Sequence, residues 1–312
     1  MLFRDASVAY GMSDHRDSGV LLGLACGDAL GRPVEFKNAD EIEATHGRLT
    51  DMKGQGTWGQ PAGTITDDTE QALCIARSLA DRGTFDPADV ADRFVQWYDS
   101  GPFDIGIMTR RSLEELKRGA TWDEAGHTVW EASAEGSNAG NGSVMRCPPL
   151  AVAYADQPAE LVTVSRQSSE ITHTDPRCTY GSAILNCTIA ALLREEASPL
   201  STALARVGSE APAELVAALE PIADGDTLDS LSTTGYVVDT LQTALYDGLR
   251  ADSAEEAIVT TVNRGGDTDT IGAVAGAIAG ARFGEAALPE RWLAAIGERD
   301  ELAELASVLA EL

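Results

Sequence analysis

Seven glycines set the first constraint on how this chain can fold. Gly23, Gly27 and Gly31 recur at every fourth residue, and so do Gly272, Gly276, Gly280 and Gly284. That spacing puts each set on one face of a helix. Glycine inside a helix costs about 1 kcal/mol against alanine, so two such stripes need a packing reason. A face without side chains lets another helix backbone come close. The two stripes are therefore expected to pack on each other near the centre of the molecule; the alternative is that each meets an unrelated neighbour. Mutual packing would bring Glu35, just past the first stripe, near the segment that opens the second.

The rest of the chain reads as helix almost throughout. Periodicity and punctuation predict helices at about 18–30, 38–46, 68–82, 87–98, 105–118 and 121–133. Further helices follow at about 150–156, 158–171, 176–196, 198–207, 212–223, 236–249, 253–263, 269–283, 289–297 and 299–311. In the third of these, Ala72, Leu73, Ile75, Ala76 and Leu79 form the apolar face. Residues 47–65 are rich in Gly, Thr and Gln and read as a loop with at most a short hairpin. Hydrophobic residues make up 44% of the chain and aromatics only 5%, which suits closely packed helices. The expected fold is all-α: a loose leader over 1–16, then one compact multi-helix domain over 17–312 with few or no short strands.

Charge narrows the partners. The 23 basic against 50 acidic residues leave a net charge of −27. Lys37, Lys53 and Lys117 are the only lysines. Such a surface repels phosphate backbones, so nucleic acid is not an expected partner. It suits a protein kept soluble in concentrated salt, and a halophilic source is expected. The five cysteines have no C-x-x-C spacing and read as buried thiols in a reducing cytoplasm. No apolar run approaches the roughly 20 residues of a spanning helix, so no membrane association is expected.

Two acidic segments stand out. Thr66-Asp67-Asp68-Thr69-Glu70 and Gly266-Asp267-Thr268-Asp269-Thr270 lie roughly 200 residues apart and share threonine-flanked aspartates. Each alone could be a helix start, with Thr66, Asp67 or Asp269 as N-cap and Asp67 with Glu70 as a capping box. Capping, however, needs one oxygen, not paired carboxylates. Were Asp67, Asp68, Asp267 and Asp269 to converge within ~5 Å, each pair would repel by about 3 kcal/mol at an effective dielectric near 20. They could not all stay ionised without a cation. Oxygen ligands select Mg²⁺ or Mn²⁺, with Thr66 and Thr270 as further neutral donors. His15, His46, His127 and His173 are too scattered for a zinc site.

With these motifs the chain resembles the ADP-ribosylglycohydrolases from about Gly19 to Gly284. The likeness rests on Gly27-Asp28-Ala29-Leu30-Gly31 with Glu35, on Thr66-Asp67-Asp68-Thr69, and on Gly140-Asn141-Gly142-Ser143-Val144-Met145-Arg146. Ile171-Thr172-His173 and Gly266-Asp267-Thr268-Asp269-Thr270 complete it, in the family's order. The resemblance implies an all-α fold and a two-metal centre, two Mg²⁺ or Mn²⁺, held by Thr66, Asp67, Asp68, Asp267, Asp269 and Thr270. It implies that Asn141, Gly142, Ser143, Met145 and His173 hold ADP-ribose, and that Glu35, Asp104 and Asp68 are the catalytic carboxylates. The implied reaction removes ADP-ribose from a modified side chain, so the partner would be an ADP-ribosylated protein or a small ADP-ribose conjugate. At Ile107, three residues after Asp104, the nitrogenase-reductase branch of the family would have a polar residue.

Two other readings compete. A catalytically silent member would bind ADP-ribose without cleaving it. A trans-prenyl diphosphate synthase is also all-α with two aspartate-rich motifs, but it needs D-D-x-x-D, and Gln71 stands at the fifth position here. For single residues the plain alternatives are that His173 and Asp104 cap helices and that Met145 packs in the core.

Overall fold

The structure, a computed structural model, describes residues 15–134 and 136–312. The leader expected at 1–16 lies outside them except for its last two residues, and Arg16 already begins a helix. The described residues form sixteen α-helices and no strand; extended pairing is limited to three isolated bridges. In order they are Arg16–Gly31 (α1), Ala39–His46 (α2), Asp67–Arg82 (α3), Pro87–Asp99 (α4), Ile107–Arg118 (α5) and Trp122–Ala132 (α6). Next come Pro148–Ala153 (α7), Pro158–Glu170 (α8), Pro176–Leu193 (α9), Pro199–Val207 (α10) and Ala213–Ala223 (α11). The last five are Val237–Arg250 (α12), Ala254–Val262 (α13), Thr268–Phe283 (α14), Glu290–Leu293 (α15) and Arg299–Leu309 (α16).

Local chemistry explains where these helices start. Proline opens α4, α7, α8, α9 and α10, where its missing N–H has no intrahelical partner to lose. Capping boxes, Asn38 with Glu41 and Thr121 with Glu124, start α2 and α6.

The glycine stripes pack on each other, as the spacing predicts. A Cβ on Gly23 would stand 2.2 Å from Gly276 O, one on Gly27 1.9 Å from Gly272 O, and one on Gly31 2.1 Å from Thr268 O. Gly19 adds a further level against Gly280 and Gly284. The order of these contacts makes α1 and α14 antiparallel, backbone against backbone. Both are buried almost along their whole length. The remaining helices wrap this pair: α16 packs on α1, α12 and α13 pack on α14, and α9 touches α14 and carries α8 and α10 outside it. Outer helices bury one face only, as α4 does with Val90, Ala91 and Phe94.

The predicted loop at 47–65 holds a 3₁₀ turn, Gly56–Trp58, and one bridge between Gln55 and Gln60 in place of a hairpin. Arg32 shapes it. Its guanidinium is fully buried and donates to the carbonyls of Lys53, Gln55, Gln60, Pro61 and Thr64.

Candidate metal and active site

The α1–α14 crossing sets the C-terminal end of one helix beside the N-terminal end of the other. Phe36 N donates to Gly266 O at 2.8 Å, and Gly266 N to Lys37 O at 2.7 Å. Thr268 Oγ1 donates to Gly31 O at 2.8 Å. These bonds fix Glu35 against the Asp267–Thr270 segment. Asp28 of α1 brings in the start of α3: its carboxylate, fully buried, accepts from the N–H and the hydroxyl of both Thr66 and Thr69. So α1 caps α3, and the carboxylates in the first turn of α3 are not spent on capping it. Neither α3 nor α14 has a side-chain cap from its own N-cap residue, Thr66 or Asp267. The capping reading of the two acidic segments fails for this reason.

These segments meet at a cleft of about 490 Å³. Asp67 and Asp68 from one motif and Asp267, Asp269 and Thr270 from the other line it, with Glu35, Asp104, Asn141, Gly142, Met145 and His173. The motifs come into contact where Thr270 Oγ1 lies 3.5 Å from Asp68 Oδ2. Glu35, Asp104 and Asp269 each present an oxygen, and the three oxygens lie within 4.8 Å of one another. Thr66 and Ser143 are placed behind the lining. The Thr66 hydroxyl sits 3.0 Å from Asp28 and 3.2 Å from Asp68, and that of Ser143 sits 3.3 Å from Ser182 Oγ.

Neither His173 nor Asp104 serves as a helix cap. Asp175, not His173, caps α9, and the N-cap of α5 is Gly106, not Asp104. Met145 is buried in the lining with Sδ 4.0 Å from Thr270 Oγ1. The Asn141 amide donates to Asp267 Oδ2 at 2.7 Å and to Thr240 Oγ1 at 2.9 Å, so it orients a carboxylate.

Burial with like charges nearby makes the site electrostatically expensive as it stands. Burial, and then neighbouring carboxylates, push Asp67, Asp68 and Asp269 well above the usual carboxylate range. Glu35 is pushed up to about 8, by burial first and then by Asp104, although Trp58 pulls it back. Asp104 rises to about 6 through burial and Asp267. Burial outweighs the four donors on Asp28, which rises to about 7. Among the described residues no lysine or arginine lines the cleft. Asp68 Oδ1 is buried with no hydrogen-bond partner. An orphaned carboxylate oxygen among oxygen-only donors fits a hard divalent cation.

Five contributors to the site were given no role from the sequence. Asp28 was legible as the only acid in the apolar stretch Val20–Leu30, but its function as a cap between helices was not. Trp58 Nε1 donates to Glu35 Oε2 at 2.5 Å, a contact no local pattern announces. Thr109 is fully buried in the first turn of α5, and its hydroxyl has no partner. Phe36, 68% exposed, and Ile107, 61% exposed, also line the cleft.

The sequence model of the ADP-ribosylglycohydrolase family matches residues 13–312. The chain is 35% identical over 294 residues to the ADP-ribosyl-[dinitrogen reductase] glycohydrolase of Rhodospirillum rubrum, covering 92% of each. It is 32% identical over 308 residues to an ADP-ribosylarginine hydrolase of Serratia proteamaculans, covering 93% of this chain and 78% of that one. Among solved structures, an ADP-ribosylglycohydrolase-related protein complex matches with a TM-score of 0.80 and 36% identity, covering 96% of this chain and 98% of the other.

Proposed function

This chain belongs to the ADP-ribosylglycohydrolase family, and from that premise we propose that it is a metal-dependent hydrolase that removes ADP-ribose from a modified side chain. Arginine is the first candidate for that side chain, since a relative is named for ADP-ribosylarginine. The family assignment leaves no place for a prenyl diphosphate synthase. The observation that carries the reading is the convergence of Asp67 and Asp68 with Asp267 and Asp269 around an orphaned carboxylate oxygen.

Asp67, Asp68, Asp267, Asp269 and Thr270 would hold the divalent cations, Mg²⁺ or Mn²⁺. When bound, the cations supply positive charge that grips ribose hydroxyls and a water. Cleavage breaks the bond from the anomeric carbon to the side-chain nitrogen or oxygen, joins that carbon to a water oxygen, and needs a proton on the leaving group. Glu35 is placed to move that proton. Trp58 holds its Oε2. Burial and neighbouring carboxylates raise both groups, Glu35 further than Asp104, so Glu35 is the better proton donor and Asp104 the better acceptor of a proton from water. The Asn141 amide keeps Asp267 turned into the cleft.

A catalytically silent binder is separated from the hydrolase by one assay. ADP-ribosylated arginine and serine peptides are incubated with the protein, with and without Mg²⁺ or Mn²⁺, and free ADP-ribose is measured. Release that is abolished by EDTA and by Asp269→Ala, with helical content preserved, supports the hydrolase. Tight binding without release would establish the silent binder instead.

A further inference from the structure

Behind the lining of the cleft a buried arginine links Gln71 to Thr172. Arg146 is fully buried, and among the described residues no carboxylate pairs with it. Its Nη1 donates to Gln71 Oε1 at 2.5 Å, and its Nη2 donates to Thr172 Oγ1 at 2.7 Å and more weakly to Ser168 O at 3.4 Å. The Phe94 ring covers it, 4.4 Å from the guanidinium carbon. A guanidinium only donates, so each bond it makes fixes a direction. Gln71 must turn its oxygen to Arg146, and its amide nitrogen then donates to Asp67 Oδ2 at 3.2 Å. On the other side Thr172 Oγ1 accepts from Arg146. Thr172 is fully buried, and its remaining contact is His173 Nδ1 at 2.7 Å. The oxygen could accept twice, but the buried hydroxyl proton has no acceptor among the described residues other than Nδ1, so satisfying it leaves Nδ1 bare and puts the ring proton on Nε2.

We propose that Arg146 and Thr172 are positioning residues that lock His173 as its Nε2–H tautomer, so that it donates a hydrogen bond to an oxygen of the bound substrate and cannot accept one. The surroundings of Nε2 agree. Among the described residues it has no hydrogen-bond partner. Gly142 packs against the ring: a Cβ there would stand 2.8 Å from Cε1, 3.1 Å from Nε2 and 3.3 Å from Thr109 Oγ1, so both polar groups border the same glycine, and all three residues line the cleft. Thr109 Oγ1 is itself buried and unpartnered, an independent sign that a ligand atom belongs there. Burial, and the Arg146 charge after it, hold the imidazole down to about 3, so the ring stays neutral and its tautomer, not its charge, sets what it recognises. A neutral donor suits an oxygen-rich ligand such as ADP-ribose and rejects a group that offers a proton at this point. The ligand, though not the tautomer, rests on the function proposed above.

The tautomer is read in the ligand-free protein by nitrogen-15 imidazole spectroscopy, with His173 assigned from the signals lost in His173→Gln. A pyridine-like Nδ1 and a pyrrole-like Nε2 are expected; the reverse pattern in the wild type overturns the relay. Thr172→Val should erase the preference and weaken ADP-ribose binding roughly tenfold, about one lost hydrogen bond, and Thr172→Ser should restore both. Unchanged tautomer and affinity in a folded Thr172→Val would also refute it. Should the wild type show the Nε2–H form but bind no ADP-ribose, the relay stands and the functional reading fails.

Discussion

Gly276→Ala adds one methyl group to the helix crossing. Its Cβ would stand 2.0 Å from Gly23 O and 2.7 Å from Gly23 C, both main-chain atoms with no rotamer to yield. Carbon-to-oxygen contact normally needs about 3.3 Å, so the helices would have to part by roughly 1 Å at this level. Overpacking of this kind costs about 1–3 kcal/mol, and a contact rigid on both sides belongs at the upper end. Against it stands the gain of about 1 kcal/mol from exchanging helical glycine for alanine. The net expectation is a loss of about 2 kcal/mol in equilibrium urea unfolding. Gly297→Ala is the control, because nothing lies within 4 Å of its Cβ and its backbone is not left-handed; it should stay within about 0.5 kcal/mol of wild type. A Gly276→Ala protein as stable as wild type, or more so, would refute the close-crossing argument, since propensity would then be the larger effect.

Asp28→Ala should cost about 2–4 kcal/mol, because it strands buried donors of Thr66 and Thr69; a loss near zero in urea unfolding would show that α3 does not depend on this cap. The metal-free protein should lose stability as pH rises through neutrality. Asp28, near 7, and Glu35, near 8, hold protons in the folded state that the unfolded chain has already released, so their contribution is complete at low pH and fades as pH climbs through those values. Asp28 and Glu35 leave at least about one proton of difference, and the raised Asp67, Asp68 and Asp269 add to it, so the slope is about 1.4 kcal/mol per pH unit or steeper. Thermal unfolding in EDTA at about pH 6.5 and pH 7.5 reads it; saturating Mg²⁺ should flatten the trend, and a metal-free protein that gains stability over this window would contradict the burial of these groups.

The helices were legible because glycine, proline and apolar spacing act locally. The α1–α14 contact was legible because a stripe without side chains can be satisfied only by another backbone. The meeting of Asp68 with Thr270 followed from that contact together with the likeness of the two motifs. What stayed hidden are contacts that depend on where a side chain ends rather than where it starts. Trp58 on Glu35 and Arg32 beneath the 47–65 loop belong to this group, as does Asp28 reaching across to cap α3. Thr66 and Ser143 sit in the right motifs, yet their hydroxyls are held by Asp28, Asp68 and Ser182, which motif matching does not see.

Calorimetric titration of EDTA-treated protein with Mn²⁺ tests the shared metal site most directly. The wild type should take up about two ions per chain, and Asp68→Asn combined with Asp269→Asn should abolish the binding heat while the helical circular dichroism is retained. A wild type that binds no divalent ion, or a double variant that binds it as tightly, would contradict the account.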